Sequence, residues 1–189
     1  FTRLGSAGRA MRRPAMTLTG EADARAGDML EDIYRRSCEN EPAIRRMTFV
    51  NAELTKISVN TFVTTKISYA NMLADICDRL PGADVDVVTH AVGADSRIGA
   101  KYLKGATGYG GPCFPRDNRL LAYTARQMGV EAPLAEASDQ VNHRTNEDLF
   151  EKVQKLVSKS DLVAVLGLTY KPDTYITEEA AGLFLAQQL

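Results

Sequence analysis

The chain has 189 residues, enough for one large domain or one and a half small ones with a real buried core. It is 44% hydrophobic and 25% charged, and its formal net charge is −1 with both signs interleaved. That balance excludes a dominant polyanion-binding surface, so no nucleic-acid partner is expected. No apolar stretch is long enough to span a bilayer and no signal-peptide pattern opens the chain, so no membrane association is expected. Cys38, Cys77 and Cys113 are odd in number and widely spaced, which builds neither a disulfide framework nor a metal site. A reducing, cytoplasmic compartment follows as the expectation.

In chain order, Phe1–Gly5 reads like the middle of a loop without an initiator Met, and Glu178–Leu189 like a helix cut short. The chain is therefore expected to be an internal piece of a longer protein. Arg9, Arg12 and Arg13 fall in an apparent loop and read as a solvated patch. Residues 14–19 read as a short strand. Apolar Met29, Leu30, Ile33, Tyr34 and Cys38 recur at helical spacing and predict an amphipathic helix over 21–38. Residues 47–50 read as a second short strand. From Ala52 to Leu80 there is neither Gly nor Pro, and Pro81 and Gly82 end the segment. Such a helix of about 29 residues would be about 43 Å long. Its apolar residues cover more than one stripe, so it must be buried on more than one side; a second subunit is the natural cover, and a dimer seam is expected here.

Val85–Ala94 reads as a further helix. Residues 105–113 cannot be regular structure, helices resume over 116–128 and 134–159, and Asp161–Gly167 is a continuous apolar run that suits a buried parallel strand. The order is mostly helical, then the opening strand of an α/β unit.

Chemistry concentrates first in Gly108–Asp117. Gly105, Gly108, Gly110 and Gly111 let the backbone approach a ligand and offer unshielded N–H groups. Cys113 follows at once, with Arg116 and Asp117 one helical turn later; a helix N-terminus and a cation favour the thiolate, which is the nucleophilic form. A turn with a buried structural cysteine is the competing reading. The glycine spacing is neither a Walker loop nor a dinucleotide fingerprint. Lys56 and Asn60 stand at i and i+4 on one face of the long helix; Lys56 is either an edge residue with its stem buried or a functional charge. Gly167–Thr174, with Lys171, suits anion capture at the top of an α/β sheet, or is simply a strand-to-helix turn. His90 and His143 have no partner at metal spacing.

Taken together, Ala52–Asn60, Gly93–Gly99, Gly108–Asp117 and Gly167–Thr174 resemble the UDP-glucose/GDP-mannose dehydrogenase family in wording, order and interval. The resemblance covers nearly the whole chain, and its Gly-Gly-x-Cys-Phe-Pro-x-Asp segment is highly specific. It implies a mainly α fold: a helical dimerisation domain like the C-terminal domain of 6-phosphogluconate dehydrogenase over 51–158. The tail of a Rossmann-like NAD-binding domain would precede it over 1–50, and the start of a nucleotide-sugar-binding domain would follow over 159–189. It also implies a homodimer through the 52–80 helix or a higher oligomer built on it, and oxidation of a sugar C6 alcohol to a carboxylate in two hydride transfers to NAD.

By the same resemblance Cys113 would add to the aldehyde, Lys56 would stabilise the oxyanion with help from Asn60, and Asp117 would position or activate the hydrolytic water. Arg97, Tyr102, Lys104, Tyr109, Gly110 and Lys171 would bind substrate, Arg97 across the dimer interface. The wording at 102–105 and around Cys113 leans to UDP-glucose; GDP-mannose and UDP-N-acetylhexosamines are the alternatives. A non-catalytic helical dimerisation module is the competing class.

The chain departs from the family pattern in two places. The nucleotide-fold glycine fingerprint is absent, and a glutamate that helps catalysis would fall just before Phe1. Ile176–Ala180 replaces an Asp-x-Arg-Glu-Ser stretch, which puts an arginine contact to NAD there in doubt. On this reading the piece by itself would be catalytically inactive.

Overall fold

A computed structural model describes residues 7–189; the loop expected at Phe1–Gly5 lies outside the described residues. The described residues form seven helices and a two-stranded parallel sheet, a mainly α chain whose contacts group it into two units, one up to Ser58 and one from Val59 to Leu189. The change of unit falls inside the longest helix.

The first unit begins with α1 (Ala7–Arg12), so two of the three arginines expected in a loop, Arg9 and Arg12, are helical instead. A run with Ala7, Ala10, Met11 and Arg12 is made of good helix formers, and no Gly or Pro falls in its last four positions. Strand β1 (Met16–Gly20) pairs in parallel with β2 (Ala43–Met47), Met16 opposite Ala43, and α2 (Ala24–Ser37) runs between them. This strand–helix–strand order is the parallel α/β signature. Asp23 caps α2, its carboxylate accepting from the Arg25 N–H at 2.9 Å. Arg46 donates to Glu21, Asp28, Glu31 and the Ala24 carbonyl. Gly27 makes room for this network: a Cβ there would stand 1.6 Å from the Glu21 carboxylate.

The strand expected at 47–50 is a correction. Strand β2 ends at Met47, and α3 (Phe49–Cys77) begins two residues later. Thr48 decides the boundary, since its hydroxyl accepts the Asn51 N–H and its carbonyl the Ala52 N–H. An N-terminal cap outweighs the strand propensity of Phe49 and Val50. The helix has 29 residues. It stops at Cys77, a few residues before Pro81 and Gly82, with φ 81° at Gly82, turn the chain.

The second unit packs α3 from Val59 onward with α4 (Val85–Ala94), α5 (Phe114–Gln127), α6 (Pro133–Gln154) and α7 (Ala181–Gln188). The buried stripe of α3 is small and polar: Thr61, Thr64, Ser68 and Asn71, with Ala70 fully buried. Thr64 donates to Asn118 on α5 at 2.9 Å, Ser68 donates to the Ser138 carbonyl on α6 at 2.9 Å, and Thr65 and Ser138 share a hydrogen bond. Asn71 Oδ1 accepts the Ala106 N–H at 2.8 Å and so ties down the start of the glycine-rich loop.

Helix α6 ends at Gln154, five residues before the expected end at 159. The chain then makes a turn at Ser158, whose N–H donates to the Asp161 carboxylate. The buried parallel strand expected at Asp161–Gly167 is not formed. No strand pairs with it among the described residues, and Leu162 and Leu166 are 100% and 94% exposed. A strand exists only through a ladder partner, and its apolar run is buried only by layers on its faces; neither is present here.

Candidate active site

Cys113 occupies the N-cap position of α5 and is exposed. Pro115 follows inside the first turn, where a missing N–H costs nothing and a fixed φ favours the helix. Asp117 lies one turn along, its N–H donating to the Cys113 carbonyl at 2.8 Å. That side chain is 1% exposed. Its carboxylate is well supplied with donors: Arg116 Nε and Nη2 both reach Oδ1 at 3.0 Å, and Asn60 Nδ2 reaches Oδ2 at 2.6 Å. A buried carboxylate with a guanidinium and an amide on it is held in one pose. Cys113, Asp117 and Asn60 are thus brought together, and Arg116 joins them with its own charge strengthened chiefly by the hydrogen bond to Asp117.

The glycine-rich loop arrives over this turn with its underside in the core. The Tyr109 side chain is 7% exposed; its hydroxyl donates to the Ser138 carbonyl at 3.2 Å and accepts from Asn118 Nδ2 at 2.7 Å. Burial, and then the nearby charge of Asp139, push its phenol well above the usual range.

On the other side, Gly111, with φ 84°, donates its N–H to the Glu178 carbonyl at 2.8 Å, and a Cβ there would strike the Tyr170 ring at 2.6 Å. Gly110 is buried, and a Cβ on it would stand 2.1 Å from the Glu179 carbonyl. Arg119 closes the same contact through an ion pair with Glu179 at 2.6 Å. The loop carrying Lys171 is therefore packed directly on the cysteine loop, with the Lys171 ammonium 5.4 Å from the centre of the Tyr170 ring.

Lys56 is half-buried on α3 within the first unit. Arg97 is exposed and held by Asp95 in the turn after α4, through Nε at 3.0 Å and Nη2 at 2.6 Å. Tyr102 is partly exposed and takes φ 64°, a left-handed conformation in which a bulky residue is strained. Lys104 is exposed on the way into the glycine-rich loop. The sequence reading missed Asn118, Ser138, Asn142, Tyr170 and Glu178; the i, i+4 pair Asn142 and Asn146 on α6 was the one visible hint.

An exposed thiol thus stands at the head of α5, with a fixed buried carboxylate one turn on. The central-domain profile of the UDP-glucose/GDP-mannose dehydrogenase family matches residues 50–144, and the chain belongs to that family. The UDP-glucose 6-dehydrogenase of Pseudomonas aeruginosa is 36% identical across the whole chain, which spans 42% of that protein. The UDP-glucose 6-dehydrogenase of Rhizobium meliloti is 33% identical, again over the whole chain and 44% of its own length. A UDP-glucose dehydrogenase from the hyperthermophilic archaeon Pyrobaculum islandicum has a solved structure that superposes with a TM-score of 0.89 at 32% identity, covering 100% of this chain and 43% of that one. The chain thus spans less than half the length of these relatives. Among the described residues no helix is long and apolar enough to cross a membrane.

Proposed function

We propose that this chain is the central part of an NAD-dependent nucleotide-sugar dehydrogenase that oxidises a sugar C6 alcohol to a carboxylate, with Cys113 as its nucleophile. The observation that carries the reading is the exposed Cys113 at the head of α5 with Asp117 buried behind it and hydrogen-bonded by Asn60. The names of the relatives favour UDP-glucose, giving UDP-glucuronate.

The acceptor of both hydrides is NAD by family likeness. This chain carries no glycine fingerprint of a dinucleotide-binding turn. No residue of this chain is assigned to the cofactor.

The chain's own residues supply the covalent part. The Cys113 thiolate adds to the carbonyl carbon of the sugar aldehyde, forming a C–S bond and an oxyanion. Bound NAD would supply the acceptor for the hydride that leaves that carbon, and the carbon would then be a thioester. Water then attacks the thioester carbonyl, breaking the C–S bond and returning the thiol with the carboxylate product. Asp117 orients that water and takes its proton, Asn60 fixes the carboxylate, and Lys56 is assigned to the oxyanion by the resemblance. Arg97, Tyr102, Lys104, Tyr109, Gly110 and Lys171 are assigned to substrate by the same resemblance.

The domain assignment over 1–50, 51–158 and 159–189 belongs to the same proposal. So does a homodimer through α3, whose Phe62, Tyr69, Met72 and Ile76 present an uncovered apolar stripe. The three free thiols suit a cytoplasmic enzyme.

The test is a turnover assay of the full-length enzyme with NAD and a panel of UDP-glucose, GDP-mannose and UDP-N-acetylhexosamines. Two NADH per sugar with one of them is the expected result and names the substrate. No turnover with any would overturn the reading.

A further inference from the structure

Asn142 lies on α6 and is 3% exposed. Its Oδ1 accepts the Tyr109 N–H at 2.7 Å and its Nδ2 donates to the Tyr109 carbonyl at 2.9 Å. One side-chain amide thereby satisfies both backbone groups of one residue, as a neighbouring strand would, in a loop that has no strand beside it. The orientation of the amide is fixed by these partners, since a flipped amide would set donor against donor and acceptor against acceptor. One helical turn on, Asn146 Oδ1 accepts the Gly108 N–H at 3.2 Å. Glycine at 108 permits the approach: a Cβ there would stand 2.6 Å from the Asn146 amide and 2.9 Å from that of Asn142.

The clamped residue leads directly to the thiol. The Tyr109 ring meets Phe114 edge-to-face, with centroids 6.0 Å apart and planes at 90°, and Phe114 is the first helical residue after Cys113. Between Tyr109 and Cys113 stand only Gly110, Gly111 and Pro112, and Gly111 is held from above by the Glu178 carbonyl. With both ends of so short a turn pinned, the direction of the Cys113 side chain depends on where Tyr109 is held.

We propose that Asn142 is a positioning residue for the Cys113 nucleophile, clamping Tyr109 so that the Gly110–Cys113 turn presents the thiol to the substrate carbonyl. Asn142 itself touches neither substrate nor reacting atoms. The effect on turnover rests on the dehydrogenase reading above; the effect on the thiol does not.

The test uses the full-length enzyme and Asn142→Asp, which keeps the shape and the acceptor but sets a carboxylate oxygen against the Tyr109 carbonyl. The expected result is a kcat lowered at least ~10-fold with the KM for the nucleotide sugar within about 3-fold, the pattern of an interaction realised only in the transition state. The rate of Cys113 alkylation by iodoacetamide at neutral pH is expected to fall about 5-fold, with its pH profile displaced. Thr145→Ala, which removes a hydroxyl bond to the Val141 carbonyl on the same helix, controls for general loosening of α6 and is expected to change neither quantity.

Wild-type kcat and alkylation in Asn142→Asp, or losses no larger than those in Thr145→Ala, overturn the proposal. If the wild-type enzyme turns over no nucleotide sugar while Asn142→Asp still slows alkylation, the dehydrogenase reading fails and the positioning role stands. Should Asn142→Asp not fold, hydrogen exchange of the wild type decides. A Tyr109 amide as protected as the middle of α5 supports the clamp, and one exchanging like an open loop overturns it.

Discussion

The two faces of α3 beyond Val59 are dressed in the opposite way from a simple surface helix. The face turned into the unit carries Thr61, Thr64, Ser68 and Asn71, all buried, the last three engaged by α5, α6 and the glycine-rich loop. The face turned out carries Phe62 at 69% exposure, Tyr69 at 46% and Ile76 at 50%. Small polar residues let neighbouring helices come close and hold a loop by directional bonds, which specifies one geometry. Large apolar residues left outward contribute nothing until another surface covers them. The inward face therefore holds the loop in place, and the outward face is the proposed dimer seam.

The largest expected effect breaks the outward half of that contrast. Phe62→Glu with Ile76→Glu places charges in the apolar stripe and is expected to weaken self-association of the full-length enzyme at least ~100-fold, about 2.7 kcal/mol. Sedimentation equilibrium reads it, and an unchanged dimer would show that the stripe is not the seam. The inward half is tested by Asn118→Leu, which strips the donor from the Tyr109 hydroxyl and the acceptor from Thr64. Buried groups left unsatisfied should cost about 2–3 kcal/mol in urea unfolding. A loss below about 0.5 kcal/mol would mean that the polar stripe is ornamental.

Tyr109→Phe should cost about 1 kcal/mol and sharpens the same point through pH. Burial first, and then Asp139, hold the phenol above its ordinary range. The unfolded chain ionises it near pH 10, so the stabilisation is complete below about pH 10 and is lost as pH rises towards the higher folded value. The wild type should therefore show an alkaline fall in stability that Tyr109→Phe flattens; identical alkaline limbs would contradict the buried hydroxyl. The smallest effect belongs to an exposed turn. Asp95 is held below the usual carboxylate range by the Arg97 side chain and then by the Arg97 N–H. Its stabilisation of the turn is present above about pH 4 and is lost as pH falls through the lowered folded value. In an NMR titration, Arg97→Ala should move the Asp95 midpoint upward.

Much of the helical framework was legible because long runs without Gly or Pro and the spacing of Met29, Leu30, Ile33 and Tyr34 carry the helical period. The ends were less so: Thr48 caps α3 four residues before the expected start at Ala52, a local hydrogen bond that hydrophobic pattern does not encode. Asp161–Gly167 misled because an apolar run reports a potential for burial, whereas a strand needs a neighbour. At the site, Cys113, Asn60 and Asp117 stood out by residue type and spacing and took their roles from the family wording, and the short link from Asn60 to Asp117 crosses from α3 to α5. Asn118, Ser138 and Asn142 stayed hidden because their partners are backbone and hydroxyl groups on other elements, which no spacing in one helix announces.

The most direct test of the central claim is the product formed by a Cys113→Ser variant of the full-length enzyme, with NAD and the nucleotide sugar that the wild type oxidises. The account predicts two NADH and one carboxylate per sugar for the wild type, and no carboxylate from the variant, since the thioester cannot form. A variant that still delivers two NADH and the acid would show that Cys113 is not the nucleophile.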